Sequence, residues 1–322
     1  MDKLRAMTAF VAIADRGSLT AAADVLGTSL PSVVRTLAAL ERELGARLFT
    51  RTTRRIALTE EGRDYLDRAR RVLAQVEDAE AALSARHVIP QGRIVLTSSV
   101  MFGRLHVAPL LAEFLGAHPR VKAELLLLDR VANLLEEGMD LGVRIGHLAD
   151  SSLVAIPVGE TRRVICASPD YLRRAGMPAA PKDLAAHACI RFTGLAAGGE
   201  WEFREAGKPK RVGVDGPLVT NQVDAALDAT TSGLGCGMFL CYQVRSALAQ
   251  GTLRLLLANH EPPPLPIHVV YPQGRHMPSR VRALVDWLVP RLRQRLAPHT
   301  QSGTRGKRPA AIRSGRGRRR PA

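Results

Sequence analysis

The feature that most constrains this fold is a pair of short helical segments joined by a tight turn near the N-terminus. The span LTAAADVLGTSLPSVVRTL opens with a run of alanines, reaches Gly27, and continues with apolar residues at helical spacing. Small side chains let one helix approach the next closely, and glycine adopts the left-handed backbone that such a turn requires. Ser18 is placed to cap the first helix, and Pro31 is tolerated in the first turn of the second. The pattern predicts a helix-turn-helix within residues 1–58.

A two-stranded ribbon around a basic turn is predicted next, over RLFTRTTRRIALT. A recognition helix needs small polar side chains near its N-terminus, so that its backbone can enter the major groove and its donors can reach base edges. Cations on the ribbon can reach phosphates or a narrow minor groove. The candidates are Ser29, Ser32, Thr36 and Arg35 (the last best placed for a phosphate) on the helix, and Arg51, Arg54 and Arg55 on the ribbon. Three packed helices without DNA-binding activity are the alternative.

One long helix is predicted from Thr59 to about His87. Its apolar positions advance by alternating threes and fours, at Tyr65/Leu66, Ala69, Val72/Leu73, Val76, Ala79 and Leu83. Such a stripe is typical of a helix that packs on a partner helix, so a dimer seam within a linker of residues 59–90 is the favoured interpretation. The alternative is a helix that lies on its own domain.

The pattern changes after Ile89-Pro90-Gln91-Gly92, which reads as a linker. Short strands then alternate with helices over residues 91–297, and this alternation predicts a mostly parallel α/β sheet. The region is long enough for two lobes. The predicted strands are 93–98, 121–127, 141–145, 163–167, 189–192, 218–220, 236–240 and 267–271, and the predicted helices are 103–118, 131–137 and 279–296.

The positive charge is concentrated at the C-terminal end of the chain. The formal net charge is +16, of which residues 1–60 carry +3 and residues 299–322 carry +8. Residues 298–322 are rich in Gly, Arg, Pro and Ser without apolar periodicity, which predicts a disordered basic tail. The favoured role is non-specific affinity for DNA, because no aromatic residues are interleaved for base stacking. A second nucleic-acid function is the alternative.

The sequence offers little for catalysis, metal binding or membrane insertion. The four cysteines form no C-x-x-C pair, and the nine histidines show no metal-binding spacing. Buried free thiols are favoured over a redox pair of Cys236 with Cys241. Serine-nucleophile, P-loop and dinucleotide motifs are absent, so no cofactor and no enzyme activity are predicted. No stretch reaches the ~18 apolar residues that span a bilayer, and residues 6–14 are predicted to be helical rather than a signal peptide, which favours the cytoplasm.

Two runs in the first part of the chain resemble the LysR-type transcriptional regulator family. They are FVAIADRGSLTAAADVLG and SVVRTLAALERELGARLFTRTTRRIALTEEG, and the later runs FGRLHVAPLLAEFLGAHPRVKAELLLLDRVANLLEEGMDLGVRIG and TSGLGCGM are also similar. The resemblance covers roughly residues 1–295. It implies an α+β multidomain protein with an N-terminal winged helix-turn-helix, a long linker helix, and a C-terminal two-lobed α/β effector domain like a periplasmic binding protein. The lobes would comprise about 91–163 with 268–297, and about 164–267.

The resemblance also implies roles for individual residues. Pro31, Ser32, Val34 and Arg35 would face the major groove, and Arg54 would enter the minor groove. The family commonly has polar residues at the positions of Leu30 and Val34. In this chain the two apolar side chains would replace hydrogen bonds by apolar contacts, for instance with thymine methyl groups. Ligands in such clefts meet hydroxyls, backbone amides and side-chain amides. The matching positions are Ser98, Ser99, Val100, Arg144, Gly146, Thr193, Gly194, Asn221 and Cys236.

Each of these effector positions has a plain structural alternative. Ser98 and Ser99 could cap the following helix, Arg144 could pair with Asp140 or Asp129, and Asn221 could cap the helix through Leu227.

The sequence therefore favours a homodimeric or homotetrameric regulator that binds double-stranded DNA and a small-molecule effector, contacts RNA polymerase, and has no membrane partner. A small-molecule binding protein or enzyme on the α/β region, with the N-terminal helices used only for oligomerisation, is the competing hypothesis.

Overall fold

A computed structural model describes residues 2–51, 56–83, 89–148, 153–196, 198–273 and 277–297. The tail 298–322 and the ribbon turn 52–55 lie outside the described residues. The N-terminal part comprises α1 Lys3–Arg16, α2 Leu19–Val25, α3 Leu30–Leu44, β1 Phe49–Arg51, β2 Ile56–Leu58 and α4 Glu60–Leu83.

The helix-turn-helix forms because each local signal agrees with the packing. Ala22 and Ala23 of α2 are buried against α1 and α3, together with Phe10 and Leu37. The turn between α2 and α3 passes through Gly27 at φ +59°, a conformation that glycine adopts without strain. The helix-turn-helix and ribbon predicted from the sequence are confirmed, and β1 pairs with β2 in antiparallel register.

The stripe on α4 is divided between two environments. Leu66 and Ala69 are buried in the core of the N-terminal domain, and the Tyr65 ring lies 5.2 Å from that of Phe10. Val72, one turn further, is 37% exposed. The first part of the helix therefore lies on its own domain, as the alternative interpretation held. A partner helix could use only the part from Val72 onward.

The C-terminal part contains two sheets and their flanking helices. Its elements are β3 Gly92–Ser98, α5 Val100–Phe102, a π-helical turn Gly103–Val107, α6 Ala108–Ala117, β4 Val121–Leu127, β5 Leu141–Ile145, β6 Leu153–Thr161, β7 Arg163–Ala167, α7 Pro169–Ala175, a 3₁₀ turn Pro181–Ala186, β8 Cys189–Phe192, β9 Glu200–Glu205, β10 Lys208–Gly213, β11 Val219–Thr220, α8 Val223–Thr231, β12 Cys236–Leu240, α9 Arg245–Ala249, β13 Arg254–Leu256, a 3₁₀ turn Ala258–His260, β14 Leu265–Pro272 and α10 Ser279–Leu296.

Each sheet is mixed rather than mostly parallel. The first has the order β4-β3-β5-β14-β6, with parallel pairs among β4, β3 and β5 and antiparallel pairs beyond. The second has the order β11-β8-β12-β7-β13, again with two parallel and two antiparallel pairs. The prediction of a mostly parallel sheet was therefore wrong for half of the strand pairs. β6 runs directly into β7 of the other sheet, without the crossover helix that a parallel neighbour of β6 would require.

Several elements differ from the sequence-based expectation: strands β6 and β13 and helices α7 and α9 were not predicted. The predicted helix 131–137 is a set of turns, because Asn133 Oδ1 accepts from the amides of Leu135 and Glu136 and starts a single turn that Gly138 ends at φ +67°. The hairpin of β9 and β10 was not predicted. Its alternation EWEFRE buries Trp201 and Phe203 on one face, and that alternation was visible in the sequence.

By length and composition, one described helix, residues 100–117, could cross a membrane. Arg104 and Glu113 interrupt it, and Phe102, Leu110 and Phe114 are buried among the side chains of the first sheet and α10. These contacts are those of a core helix.

Candidate DNA interface and effector cleft

The predicted DNA-contacting residues of α3 lie together at the N-terminal end of that helix. The opposite face of this helix is committed to the core through Val33, Leu37 and Leu40. Ser29, Pro31 and Arg35 are exposed, and Ser32, Val34 and Thr36 are half-buried. Ser29 occupies the N-cap position without a side-chain capping bond, so its hydroxyl remains available, whereas the Thr36 hydroxyl donates to the Ser32 carbonyl at 2.9 Å.

The ribbon is fixed to α3 by one carboxylate. Glu41 Oε1 accepts hydrogen bonds from the backbone amides of Leu48 at 2.8 Å and Phe49 at 3.2 Å, where the chain enters β1. The backbone of Arg51 belongs to β1, and Arg54 and Arg55 lie outside the described residues. The sequence analysis did not single out Glu41, although its place on α3 sets the position of the ribbon.

The predicted effector residues lie mostly at the carboxyl ends of parallel strands. In the first sheet, Ser98, Ser99 and Val100 end or follow β3, and Gly146 follows β5. In the second sheet, Thr193 and Gly194 follow β8, and Asn221 follows β11. Ligands of α/β folds bind outside the carboxyl ends of such strands, so this arrangement is suited to a ligand.

Contacts between the sheets bring these edges together. The Tyr242 ring, just after β12, lies 5.4 Å from the Phe102 ring and 5.6 Å from the His106 ring of the first lobe. Arg104 Nη2 lies 3.4 Å from Asp224 Oδ1 at the start of α8, which forms an exposed ion pair between the lobes.

Several buried polar atoms in this region lack a hydrogen-bond partner among the described residues: Ser98 Oγ, Asp129 Oδ2 and His106 Nε2. Asp129 Oδ1 accepts from the Val100 amide at 3.0 Å, so its carboxylate is held at the edge of the first sheet. An unpaired buried polar atom is unfavourable by about 1–3 kcal/mol. A ligand or water that supplies the missing bonds would therefore be stabilised here.

Burial keeps both ring groups of the cluster neutral. Burial raises the pKa of the Tyr242 phenol, against a smaller effect of the hydrogen bond that Gln243 donates to it. Burial, followed by the charges of Arg245 and Arg295, lowers the pKa of His106. This cluster thus offers neutral hydroxyl and imidazole groups beside the Asp129 carboxylate.

The π-helical turn places His106 in this cluster. A Cβ added at Gly103 would lie 2.2 Å from Leu127 Cδ2, so the Leu127 side chain of β4 packs directly on this glycine and would have to shift for any larger residue. π-helical turns are frequent at functional sites because they re-aim side chains. This turn carries both Arg104 and His106 toward the second lobe.

Arg144 is placed differently from the other predicted residues. Its guanidinium lies under the segment 129–138 and donates to the Ala132 carbonyl. The same segment lies against α4. The Arg71 side chain rests on Gly138, since a Cβ added at this glycine would lie only 2.8 Å from Arg71 Nη1. Arg144 is therefore tied to the loop that connects the cleft edge with the linker helix.

Comparison with known proteins identifies the family. Residues 4–63 match the bacterial regulatory helix-turn-helix protein family of the LysR type, and residues 89–293 match the LysR substrate binding domain. The chain belongs to the LysR family of transcriptional regulators.

Relatives and solved structures agree over nearly the whole chain. An HTH-type transcriptional repressor of Pseudomonas aeruginosa is 35% identical over 90% of this chain and 92% of its own length. The structure of CrgA, a LysR-type regulator from Neisseria meningitidis, matches with 32% identity and a TM-score of 0.57, covering 89% of this chain and 98% of CrgA. The Vibrio cholerae virulence activator AphB, at 23% identity and a TM-score of 0.58 over 89% of this chain and 98% of AphB, shows the same fold.

Cys236 is the predicted effector residue that this LysR-type structure separates from the rest. It begins β12, is fully buried opposite Cys189, and lies about 13 Å from the carboxyl end of that five-residue strand. Burial raises the pKa of its thiol to about 12. Cys241 follows the far end of the same strand, beyond the Cα separation of about 4.4–6.8 Å that a disulfide needs, so the two cannot pair without unfolding the strand.

The helix-capping roles considered for Ser99 and Asn221 are not found in the structure. Ser99 stands at the N-cap of α5 without a capping bond, and Gln222 rather than Asn221 is the N-cap of α8. The exposed Asn221 side chain therefore has no capping role. Tyr242 and His106 were not predicted from the sequence, and Asp129 was predicted only as a possible partner for Arg144. Within the described ranges, no group of three His, Cys, Asp or Glu side chains is arranged to hold a metal ion.

Proposed function

We propose that this LysR-type regulator binds dyad-symmetric DNA as a homodimer or homotetramer. The predicted residues of α3 and the basic ribbon form its interface, and the linker within 59–90 contributes to pairing. The exposed N-terminal end of α3, with its core face fully used, supports this assignment. A two-fold arrangement would place two recognition helices one helical turn of DNA apart. The family supports the same conclusion.

We further propose that a small-molecule effector binds between lobes formed by about 91–163 with 268–297 and by about 164–267. The observation that carries this proposal is the set of buried, unpaired polar atoms on Ser98, Asp129 and His106 beside Tyr242. Thr193, Gly194 and Asn221 would contact the ligand from the second lobe.

The segment 129–138 supplies a route from this cleft to the DNA-binding part. Asp129 is bonded to Val100 at the cleft, and Gly138 contacts Arg71 of α4. A ligand that bonds Asp129 differently in two arrangements of this segment would bias the position of α4. By linkage, DNA binding would then alter effector affinity by the same factor.

Three further assignments complete the proposal. The protein acts in the cytoplasm, contacts RNA polymerase from its DNA-bound state, and has no enzymatic activity. Membership in a family of transcriptional regulators supports all three.

Footprinting on genomic fragments, beginning with the DNA that flanks the protein's own gene, tests the proposed function. The full chain and a chain without residues 299–322 are compared at physiological salt, because eight cations in the tail bind any duplex. A discrete protected site with approximate dyad symmetry, unchanged by the deletion, is expected. Salt-sensitive protection of all fragments, lost with the tail, would contradict the proposal.

A further inference from the structure

The carboxylate of Asp129 lies at the edge of one particular face of the first sheet. Along β4, Val121 and Leu125 pack in the core on the α6 side of this sheet, and Asp129 continues the same odd-numbered series just beyond the strand. Its Oδ1 atom accepts from the Val100 amide on that side at 3.0 Å. Asp129 therefore shares the sheet face that Phe102 covers.

The cation predicted for the effector site belongs to the opposite face. Along β5, Val143 packs in the core on the α6 side, together with Phe102. The next residue, Arg144, donates to the carbonyl of Ala132, which belongs to a separate apolar cluster on the far side of the sheet. Successive side chains of a strand point to opposite faces, so the Arg144 guanidinium and the Asp129 carboxylate belong to different sides of the sheet.

Two further cations near the Asp129 carboxylate are exposed. Arg104 is ion-paired with Asp224 at 3.4 Å, and Arg245 stands at the exposed start of α9. Asp129 Oδ2, in contrast, is buried and has no hydrogen-bond partner among the described residues. A buried carboxylate oxygen without a donor is unfavourable, so a molecule that brings a donor to this atom is favoured.

The groups around Asp129 suit a cation better than an anion. Ser98 is 2% exposed, and its Oγ has no partner among the described residues, so this oxygen can accept a hydrogen bond. The ring centroids of Phe102, His106 and Tyr242 lie between 4.7 and 5.6 Å apart, and aromatic rings attract ammonium groups. A carboxylate placed here would meet Asp129 as a like charge.

We propose that the effector carries a positively charged amine, whose N–H groups donate to the Asp129 carboxylate. The resulting bond is charge-assisted, and it gives the buried oxygen the donor that it lacks. This inference rests on the proposed effector site and names the class of molecule that the site selects.

Matched small molecules test the sign of the charge on the effector. Thermal unfolding of the full chain is measured with sets of three compounds that share a linear, branched or aromatic skeleton and carry an amine, an alcohol or a carboxylate. Butylamine, butanol and butyrate form one set, and benzylamine, benzyl alcohol and benzoate form another. We expect the unfolding midpoint to rise with amines and not with their matched alcohols or carboxylates. Calorimetric titration then gives the Kd of the most stabilising amine.

Variants assign this selectivity to Asp129. Asp129→Asn keeps an oxygen acceptor for the Val100 amide and removes the charge, so it should weaken amine binding by roughly 10- to 150-fold, the range for a hydrogen bond to a charged group. Asp286→Asn is the matched control, because Asp286 is exposed on α10 of the same lobe. Its amine affinity should equal that of the wild type.

The outcomes separate this inference from the function on which it rests. Alcohols or carboxylates that stabilise the wild type as much as the amines do would overturn the amine assignment and leave an effector-binding regulator. An amine affinity that Asp129→Asn leaves unchanged would have the same consequence. The comparison of compound classes needs no variant, so it decides the question even if Asp129→Asn does not fold. A protein that no compound of any class stabilises would overturn the proposed effector site and the inference together.

Discussion

Replacement of Glu41 should release the ribbon from α3 while leaving the helix intact. In Glu41→Ala, the amides of Leu48 and Phe49 lose their common acceptor, and both residues are almost fully buried. Each unsatisfied buried donor is unfavourable by about 1–3 kcal/mol, so the two together should lower the free energy of local opening by about 2–6 kcal/mol. Alanine is the strongest helix former, so α3 itself should not suffer.

Amide hydrogen exchange at residues 48 and 49 measures this opening directly. A change of about 2–6 kcal/mol corresponds to exchange that is roughly 30- to 20,000-fold faster in Glu41→Ala. Glu41→Gln keeps an oxygen acceptor and loses only the charge assistance, so its exchange should rise less than about tenfold. DNA affinity should fall in the same order, because the ribbon carries the basic turn.

Glu43→Ala is the control for loss of a carboxylate from the same helix. Glu43 lies 3.0 Å from Lys3 Nζ in an exposed ion pair, and such pairs contribute about 0–1 kcal/mol. Equal exchange rates at 48 and 49 in Glu41→Ala and the wild type would refute the anchoring role. If Glu43→Ala accelerated exchange at residues 48 and 49 as much as Glu41→Ala does, the anchoring role of Glu41 would also be refuted.

Three other predictions concern the linker, the cleft and the thiols. Gly138→Ala should lower the unfolding midpoint mainly because alanine is strained at the φ of +67° that Gly138 adopts. The smaller part of the loss that comes from the Arg71 side chain should disappear in an Arg71→Ala background in a double-mutant cycle, and equal losses in both backgrounds would exclude that contact. Because the pKa of His106 is lowered on folding, its contribution to stability is full above its ordinary value near 6.5 and is lost as pH falls below it. Thermal unfolding from pH 8 to 5 should show this loss in the wild type and less of it in His106→Gln. At pH 8 a thiol reagent should modify Cys241 alone in the native protein, since the other three thiols are buried and burial raises their pKa to about 12; Cys241→Ser should remove that reaction.

The N-terminal fold was predictable because its signals are local. Ala22 and Ala23 allow close approach, Gly27 and Gly45 end their helices in the left-handed conformation, and Ser18 accepts from the Ala21 amide. Each of these determinants acts within one helix or one turn. The same was true of the β12 and α10 boundaries, where apolar periodicity and its end coincide with the structure.

The cleft was less predictable because its groups are far apart in the sequence. Asp129 and Tyr242 belong to different lobes, and only the packing of Phe102 and His106 on the Tyr242 ring brings them near each other. No periodicity or spacing encodes that contact. Cys236 was placed in the cleft from a Gly-rich motif, but the motif leads into the amino end of β12 rather than its carboxyl end.

The affinity of this regulator for DNA combines two terms that arise in different parts of the chain. Residues 299–322 carry half of the net charge of +16, and counterion release makes their contribution non-specific and steeply dependent on salt. We expect base-edge contacts made by α3 to depend on base identity and only weakly on ionic strength. At higher salt the tail should lose affinity for every sequence while these contacts keep their discrimination. The ratio of specific to non-specific binding should therefore depend on α3, and the total affinity on the tail.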